Sequence, residues 1–139
     1  MPSLPRFDLP TRVYIEDTDA GGIVFYVNYL KYMERARTEL LRSLGFNKPA
    51  VTHNNGILVV ASAQIDYKRS AVLDDALVVT AAIQKVSRVS VVFEQTVLRG
   101  EVLLCTAVIR VACVNKADMK PMAMPADLHT KIRDWHQGL

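Results

Sequence analysis

The spacing of apolar and polar positions changes period along this chain, and the change separates one long helix from a set of strands. From Asn28 to Gly45, the apolar residues Leu30, Met33, Ala36, Leu40 and Leu44 recur at spacings of three and four, opposite Lys31, Arg35, Thr38 and Arg42. That period predicts an amphipathic helix of about 17 residues, some 25 Å long. Asn28 is read as its N-cap and Gly45 as the residue that stops it. Beyond Gly56 the period shortens to two. Ala61, Ala63, Ile65 and Tyr67 alternate with Ser62, Gln64, Asp66 and Lys68 after the apolar Ile57 to Val60, predicting a long strand with one face covered. Leu73 to Asp75 reads as a turn and Ala76 to Val86 as the next strand. Ser87-Arg88 breaks the chain before Val89 to Arg99, where Val91, Phe93 and Val97 line one face. Arg99-Gly100-Glu101 fits a hairpin turn into Val102 to Val114, nearly all apolar and hence central in its sheet.

The ends of the chain are read more coarsely. Thr11 to Glu16 alternates and is expected as the first strand, after a proline-marked lead-in. Phe46 to Asn55, with Pro49 and an Asn-Asn-Gly sequence, reads as a connection containing one short helical turn. Asn115 to Pro125 is polar or proline-punctuated and precedes a short helix from Ala126 to Trp135. Strand, long helix and four strands joined by short turns predict an antiparallel sheet with one helix packed on it, in the α+β class.

Composition narrows the setting. At 139 residues and 15.5 kDa, with 50% hydrophobic residues, the chain suits a single domain over residues 1–139. The net charge of +3 comes from scattered Lys and Arg, which argues against nucleic acid as a partner and leaves basic residues free to meet the phosphates of a small anionic ligand. No apolar run approaches the roughly 18 to 20 residues of a membrane span. The lead-in has no signal-type apolar core, so a soluble cytoplasmic protein without stable membrane insertion is expected. Cys105 and Cys113 fall in one strand at a separation of about 26 Å, too far for a disulfide, and are expected as reduced buried thiols. His53, His129 and His136 lack metal-ligand spacing and are expected at the surface, with no metal or cofactor required.

The candidate chemistry lies before the helix. Asp17 and Asp19 precede the Gly21-Gly22 pair, and the chain then enters the amphipathic segment within a few residues. A glycine turn lets backbone N–H groups approach a ligand closely, and the start of a helix leaves several such donors without intrahelical partners. Those donors suit a developing oxyanion, and an acid just upstream suits attack on, or activation of water beside, the same carbonyl. Asp next to Gly also commonly serves only as a turn or cap residue.

The stretch DTDAGGIVFYVNYLKYMERARTELLRSLG resembles the acyl-CoA thioesterases of the hotdog fold, specifically the 4-hydroxybenzoyl-CoA thioesterase family and its branch associated with the Tol-Pal envelope system. IDYKRSAVLDDALVVTA looks like the same family's second strand, turn and third strand, so the resemblance spans Thr11 to Val114. It implies a sheet wrapped around the long helix, a homodimer or homotetramer, and sites formed between subunits. It implies hydrolysis of acyl-CoA to free acid and CoA without a cofactor, and an acyl carrier protein is a possible further partner. By position, Asp19 matches the catalytic carboxylate and Asp17 a structural one. Tyr26 falls where the family offers a backbone N–H to the thioester carbonyl, at a position that is histidine in many members of the Tol-Pal branch. Gly22 permits the turn and is a candidate for substrate contact. Lys85 and Arg88 correspond to a basic cluster used for nucleotide phosphates in one branch of the family, or form a solvated hairpin tip. Tyr29, Tyr32 and Met33 are expected in the core, and Glu34 with Arg37 as a helix-surface pair or a contact across the dimer. The tyrosine and the thinned basic cluster also admit a non-catalytic acyl-CoA or acyl-carrier-protein binding module of an envelope or lipid-synthesis complex. A hotdog dehydratase is disfavoured because no His stands beside the acid.

Overall fold

A single apolar stripe sets the position of the long helix. The computed structural model describes residues 5–139, so the first four residues of the expected 1–139 domain lie outside the described residues. Helix α1 (Asn28–Ser43) has 16 residues and buries Met33, Ala36 and Leu40, as its period requires. Gly45, at φ +107°, follows it in the left-handed region that an L side chain avoids. Tyr29, Tyr32 and Leu41 widen the buried stripe, whereas Leu30 and Leu44 are only half-buried. Asn28 is not the N-cap: that position is Val27, which caps nothing with its side chain, and the Asn28 amide is drawn sideways to Asp17.

The strands β1 (Arg6–Arg12), β2 (Gly56–Tyr67), β3 (Ala76–Val86), β4 (Ser90–Arg99) and β5 (Val102–Asn115) form one antiparallel sheet in the order β1-β3-β4-β5-β2. Helix α1 crosses β3, β4 and β1 on the face carrying Leu77, Val79, Ile83, Phe93 and Val97. A second helix, α2 (Ala126–Gln137), anchors Leu128 and Ile132 in the same core. This antiparallel sheet laid on one long helix is the α+β hotdog fold. The β4–β5 hairpin turns at Gly100, and β5 is paired on both sides, in keeping with its apolar run. Cys105 and Cys113 are free and buried on β5, and burial pushes the Cys105 thiol up to about 12. Among the described residues no helix is long and apolar enough to cross a membrane.

Four local expectations are corrected. The first strand lies earlier than Thr11–Glu16. Pro10 pairs with Val78 on the edge strand β1, where a missing N–H costs no ladder bond on the open side, and the Asp17 carboxylate diverts Tyr14 to Asp17 into a short 3₁₀ turn. Phe46 to Asn55 holds turns and no helical turn; Asn55, at φ 69°, and the Thr52 hydroxyl close it onto Gly56. Ala61 and Ala63 of β2 are exposed, because β2 is an edge strand with a register shift between Val60 and Ser62. Finally, His129 and His136 are half-buried on α2, while His53 is exposed and meets Asp127 at 3.2 Å.

Arg37 departs most from its surface assignment. It is only 8% exposed, and its guanidinium sits 6.0 Å from the Phe93 ring centroid. Its Nη1 donates to Gln95 Oε1 at 2.9 Å, and among the described residues it forms no ion pair with Glu34. Burial lowers the Arg37 pKa from its ordinary value, opposed by the nearby Glu34 charge. Gln95, fully buried, donates its amide N–H groups to Met33 O at 3.0 Å and Thr80 O at 3.2 Å. One side chain thus ties α1 to β3 and β4 and satisfies a buried cation. Gln95→Leu is expected to lower unfolding free energy by about 2–4 kcal/mol, since it strands a charged donor and two carbonyls in the core. Urea denaturation at neutral pH measures this, and a loss below about 0.5 kcal/mol contradicts the assignment.

Candidate active site

The two aspartates ahead of α1 have different environments. Asp17 is 6% exposed. Its Oδ2 accepts the Tyr14 N–H and its Oδ1 accepts the Asn28 amide, both at 2.9 Å, and its backbone carbonyl accepts the Phe25 N–H at 2.9 Å. The carboxylate therefore binds the turn to the first residue of α1. The Tyr32 hydroxyl is buried nearby, and burial together with Asp17 raises its pKa above the ordinary phenol value.

Asp19 is exposed. Its Oδ1 accepts the Gly21 N–H at 2.8 Å, its backbone carbonyl accepts the Gly22 N–H at 3.0 Å, and its own N–H donates to Ile23 O at 2.9 Å. Its Oδ2 accepts no hydrogen bond from a described residue. The backbone conformation requires glycine at position 22, while Gly21 lies close to the Asp19 side chain. A Cβ on Gly21 would lie 3.2 Å from Asp19 Oδ1, and Gly22 has φ +81°.

Free donors stand just before the helix. In the entry to α1, the Asn28 N–H donates to Phe25 O at 2.8 Å, the Tyr29 N–H to Tyr26 O at 3.4 Å and the Leu30 N–H to Val27 O at 3.1 Å. Tight turns thus occupy the donors usually left over in a first helical turn. The N–H groups of Tyr26 and Val27 donate to no described residue. They sit at the positive end of α1, where the helix dipole amounts to roughly half a charge.

The turn is held against the β2–β3 connection. Ile23 bridges to Val72, the Val24 N–H donates to Ala71 O at 2.9 Å, and the Ala71 N–H donates to the Tyr29 hydroxyl at 2.9 Å. Arg99 braces the same connection by donating to Asp75 Oδ2 at 2.9 Å and Ser70 O at 3.3 Å. The Val72 N–H and Arg99 lower the Asp75 pKa. An open cleft of about 220 Å³ results, whose lining includes Asp19, Tyr26, Tyr29, Tyr67, Lys68 and Arg69. The Tyr26 and Tyr67 rings meet edge to face at 5.9 Å.

The site residues expected from sequence are thus only partly assembled. Asp19 and Tyr26 share the cleft, and Gly22 shapes the turn behind it. Lys85 and Arg88 are exposed at the far end of β3, about 30 Å along the strand from the β2–β3 connection at the usual rise. Arg88 O accepts the Met124 N–H at 2.9 Å, so this hairpin packs on the segment leading into α2. Tyr67, Lys68 and Arg69 were not expected at the site. They end an alternating strand, and only the pairing of Ile23–Val24 with Ala71–Val72 brings them to Asp19. A second, largely apolar groove starts at Val27 and follows α1 past Leu30 and Glu34, with Val60, Ala63 and Ile109 opposite.

Comparison with known proteins identifies the family and the fold. Residues 21–106 match the thioesterase superfamily, a match that begins two residues after Asp19. The chain is 42% identical over 123 residues to the acyl-CoA thioesterase YbgC of Haemophilus influenzae, covering 88% of this chain and 90% of that one. Among solved structures, a probable thioesterase from Bartonella henselae is 33% identical with a TM-score of 0.78, covering 87% of this chain and 99% of its own. A Thermus thermophilus protein of 22% identity shares the fold at a TM-score of 0.86, covering 94% and 99%.

The Asp17 bonds yield a stability prediction. Asp17→Ala leaves the Tyr14 N–H and the Asn28 amide without their acceptor and is expected to cost about 1–3 kcal/mol. Hydrogen exchange at residues 14–28 should rise more than in the sheet. Uniform protection in both regions contradicts a local role for Asp17.

Proposed function

The chain belongs to the thioesterase superfamily, in the branch of YbgC from Haemophilus influenzae, and from that premise we propose that it hydrolyses acyl-CoA thioesters to free acid and CoA. The observation that carries the reading is one cleft lined by Asp19 and Tyr26, with a carboxylate oxygen of Asp19 and the backbone N–H of Tyr26 both unengaged, and the free N–H of Val27 next along the chain. The thioester oxygen sits against the Tyr26 and Val27 N–H groups, and α1 stabilises the charge that develops there. Only the backbone of Tyr26 takes part, so the chemistry does not depend on an imidazole at this position. Gly22 leaves the outer side of the turn without a side chain, where substrate passes.

Asp19 Oδ2 is placed for either of two routes. It attacks the carbonyl to form a mixed anhydride that water then cleaves, or it takes a proton from the water that attacks. Thiolate leaves in both. Label that enters Asp19 during a single turnover in ¹⁸O-water establishes the anhydride route, in which water cleaves the anhydride at the Asp19 carbonyl.

The acyl chain follows the apolar groove from Val27 along α1. In a single chain this groove is open, and β2 beside it is a 12-residue edge strand with Val60 53% exposed. Such an edge invites pairing. A second copy joining β2 to β2 covers the groove and completes the site, with a tetramer formed by stacking such dimers. Lys85 and Arg88 reach a thioester only from a partner. An acyl carrier protein offers the same phosphopantetheine arm, and we place the reaction in the cytoplasm, where CoA thioesters and reduced thiols such as Cys105 coexist.

Asp19→Asn is expected to reduce thiol release from acyl-CoA by about 10²–10⁴-fold without loss of fold. Unchanged turnover would remove Asp19 from the mechanism. Val60→Glu on the β2 edge should shift the protein to monomer in sedimentation velocity, with activity lost in parallel. An unchanged sedimentation coefficient rules out the β2 edge as the contact.

A further inference from the structure

The cleft that holds Asp19 also holds two cations that the thioester chemistry does not use. Lys68 and Arg69 are exposed, line the cleft with Asp19, and form no ion pair among the described residues. Arg99, the next basic group on this side, is committed to Asp75 and Ser70. The backbone of the pair is fixed, since the N–H groups of Lys68 and Arg69 both donate to Leu104 O, at 2.9 and 3.1 Å. The long side chains start from an anchored base beside Tyr67, whose ring forms an apolar wall with Tyr26. Two cations against the single carboxylate of Asp19 leave the charged lining of the cleft at net +1.

We propose that Lys68 and Arg69 are the residues of this chain that recognise the phosphates of CoA, with the pantetheine arm lying between them and Asp19. This rests on the thioesterase reading and adds the binding determinant to it. Length favours the pair over the basic groups expected from sequence. The pantetheine arm has about the backbone of four to five extended residues, roughly 15 Å. Within one chain, Lys85 lies about 30 Å along β3 from the connection that carries Lys68 and Arg69, twice that reach, and Arg88 lies in the turn beyond β3. An anionic nucleotide also gains from cations at the mouth through faster encounter, a contribution that salt suppresses.

The experiment compares the Lys68→Ala/Arg69→Ala double variant with wild type on acyl-CoA and on the matching acyl-N-acetylcysteamine, which lacks phosphates. The variant is expected to raise KM for acyl-CoA about tenfold or more, and to leave KM for the phosphate-free thioester within about twofold. Its KM should also lose most of the salt dependence seen in wild type. Lys68→Arg/Arg69→Lys, which keeps both charges, should restore most of the affinity. Titration of CoA itself by calorimetry asks the same question without turnover. Equal CoA affinity in the variant and wild type overturns the inference, even if wild type proves to have no hydrolase activity. An equal rise in KM for both substrates also overturns it, because that reports a distorted cleft. So does loss of CoA affinity in Lys85→Ala/Arg88→Ala with full affinity in the Lys68/Arg69 variant. Absence of hydrolysis by wild type on either substrate counts against the thioesterase reading alone.

Discussion

The site depends first on the carboxylate of Asp17. By accepting the Tyr14 N–H and the Asn28 amide, it stops β1 from continuing as a strand and fastens the glycine turn to the start of α1. The position of Asp19 and the direction of the Tyr26 and Val27 N–H groups follow from that fastening. Asp17 is buried and satisfied by neutral donors, whereas Asp19 is exposed and keeps one carboxylate oxygen without a partner among the described residues. The difference is one of environment, since both residues are aspartate.

A second buried polar contact fixes the other end of the assembly. Gln95 joins the Arg37 guanidinium, Met33 O and Thr80 O, and so sets how α1 lies across β3 and β4. An apolar residue at position 95 would leave the helix free to slide along a smooth surface; the amide gives it one position. Because the groove along α1 begins at Val27 and passes Arg37, this position also sets the shape of the groove. Ala63 of β2 borders the same groove, beside Val60.

Much of the fold was legible because the helix and strands differ in period. Met33, Ala36 and Leu40 mark a helix, and the apolar run of β5 marks an interior strand, whatever surrounds them. β3 and the Gly100 hairpin were read to the residue, since turn chemistry there is local. Pro10 was harder. A proline reads as a break until one knows that the strand is an edge, and edge position is a property of the sheet. Arg37 and Asn28 misled for a related reason: a polar residue on a helix looks solvent-facing or capping until its partner, Gln95 or Asp17, is brought in from elsewhere in the chain.

By itself, the sequence determined the long helix, the antiparallel strands, the glycine turn with its two acids, and the family. These follow from spacing and from residues adjacent in the chain. The tertiary structure decided which donors stay free before α1, that Lys68 and Arg69 share a cleft with Asp19, and that Lys85 and Arg88 do not within one chain. Those facts depend on pairings between distant segments, Ile23 with Val72 and Val24 with Ala71. Such pairings arise when the helix and sheet bury their common face, and no local period records them.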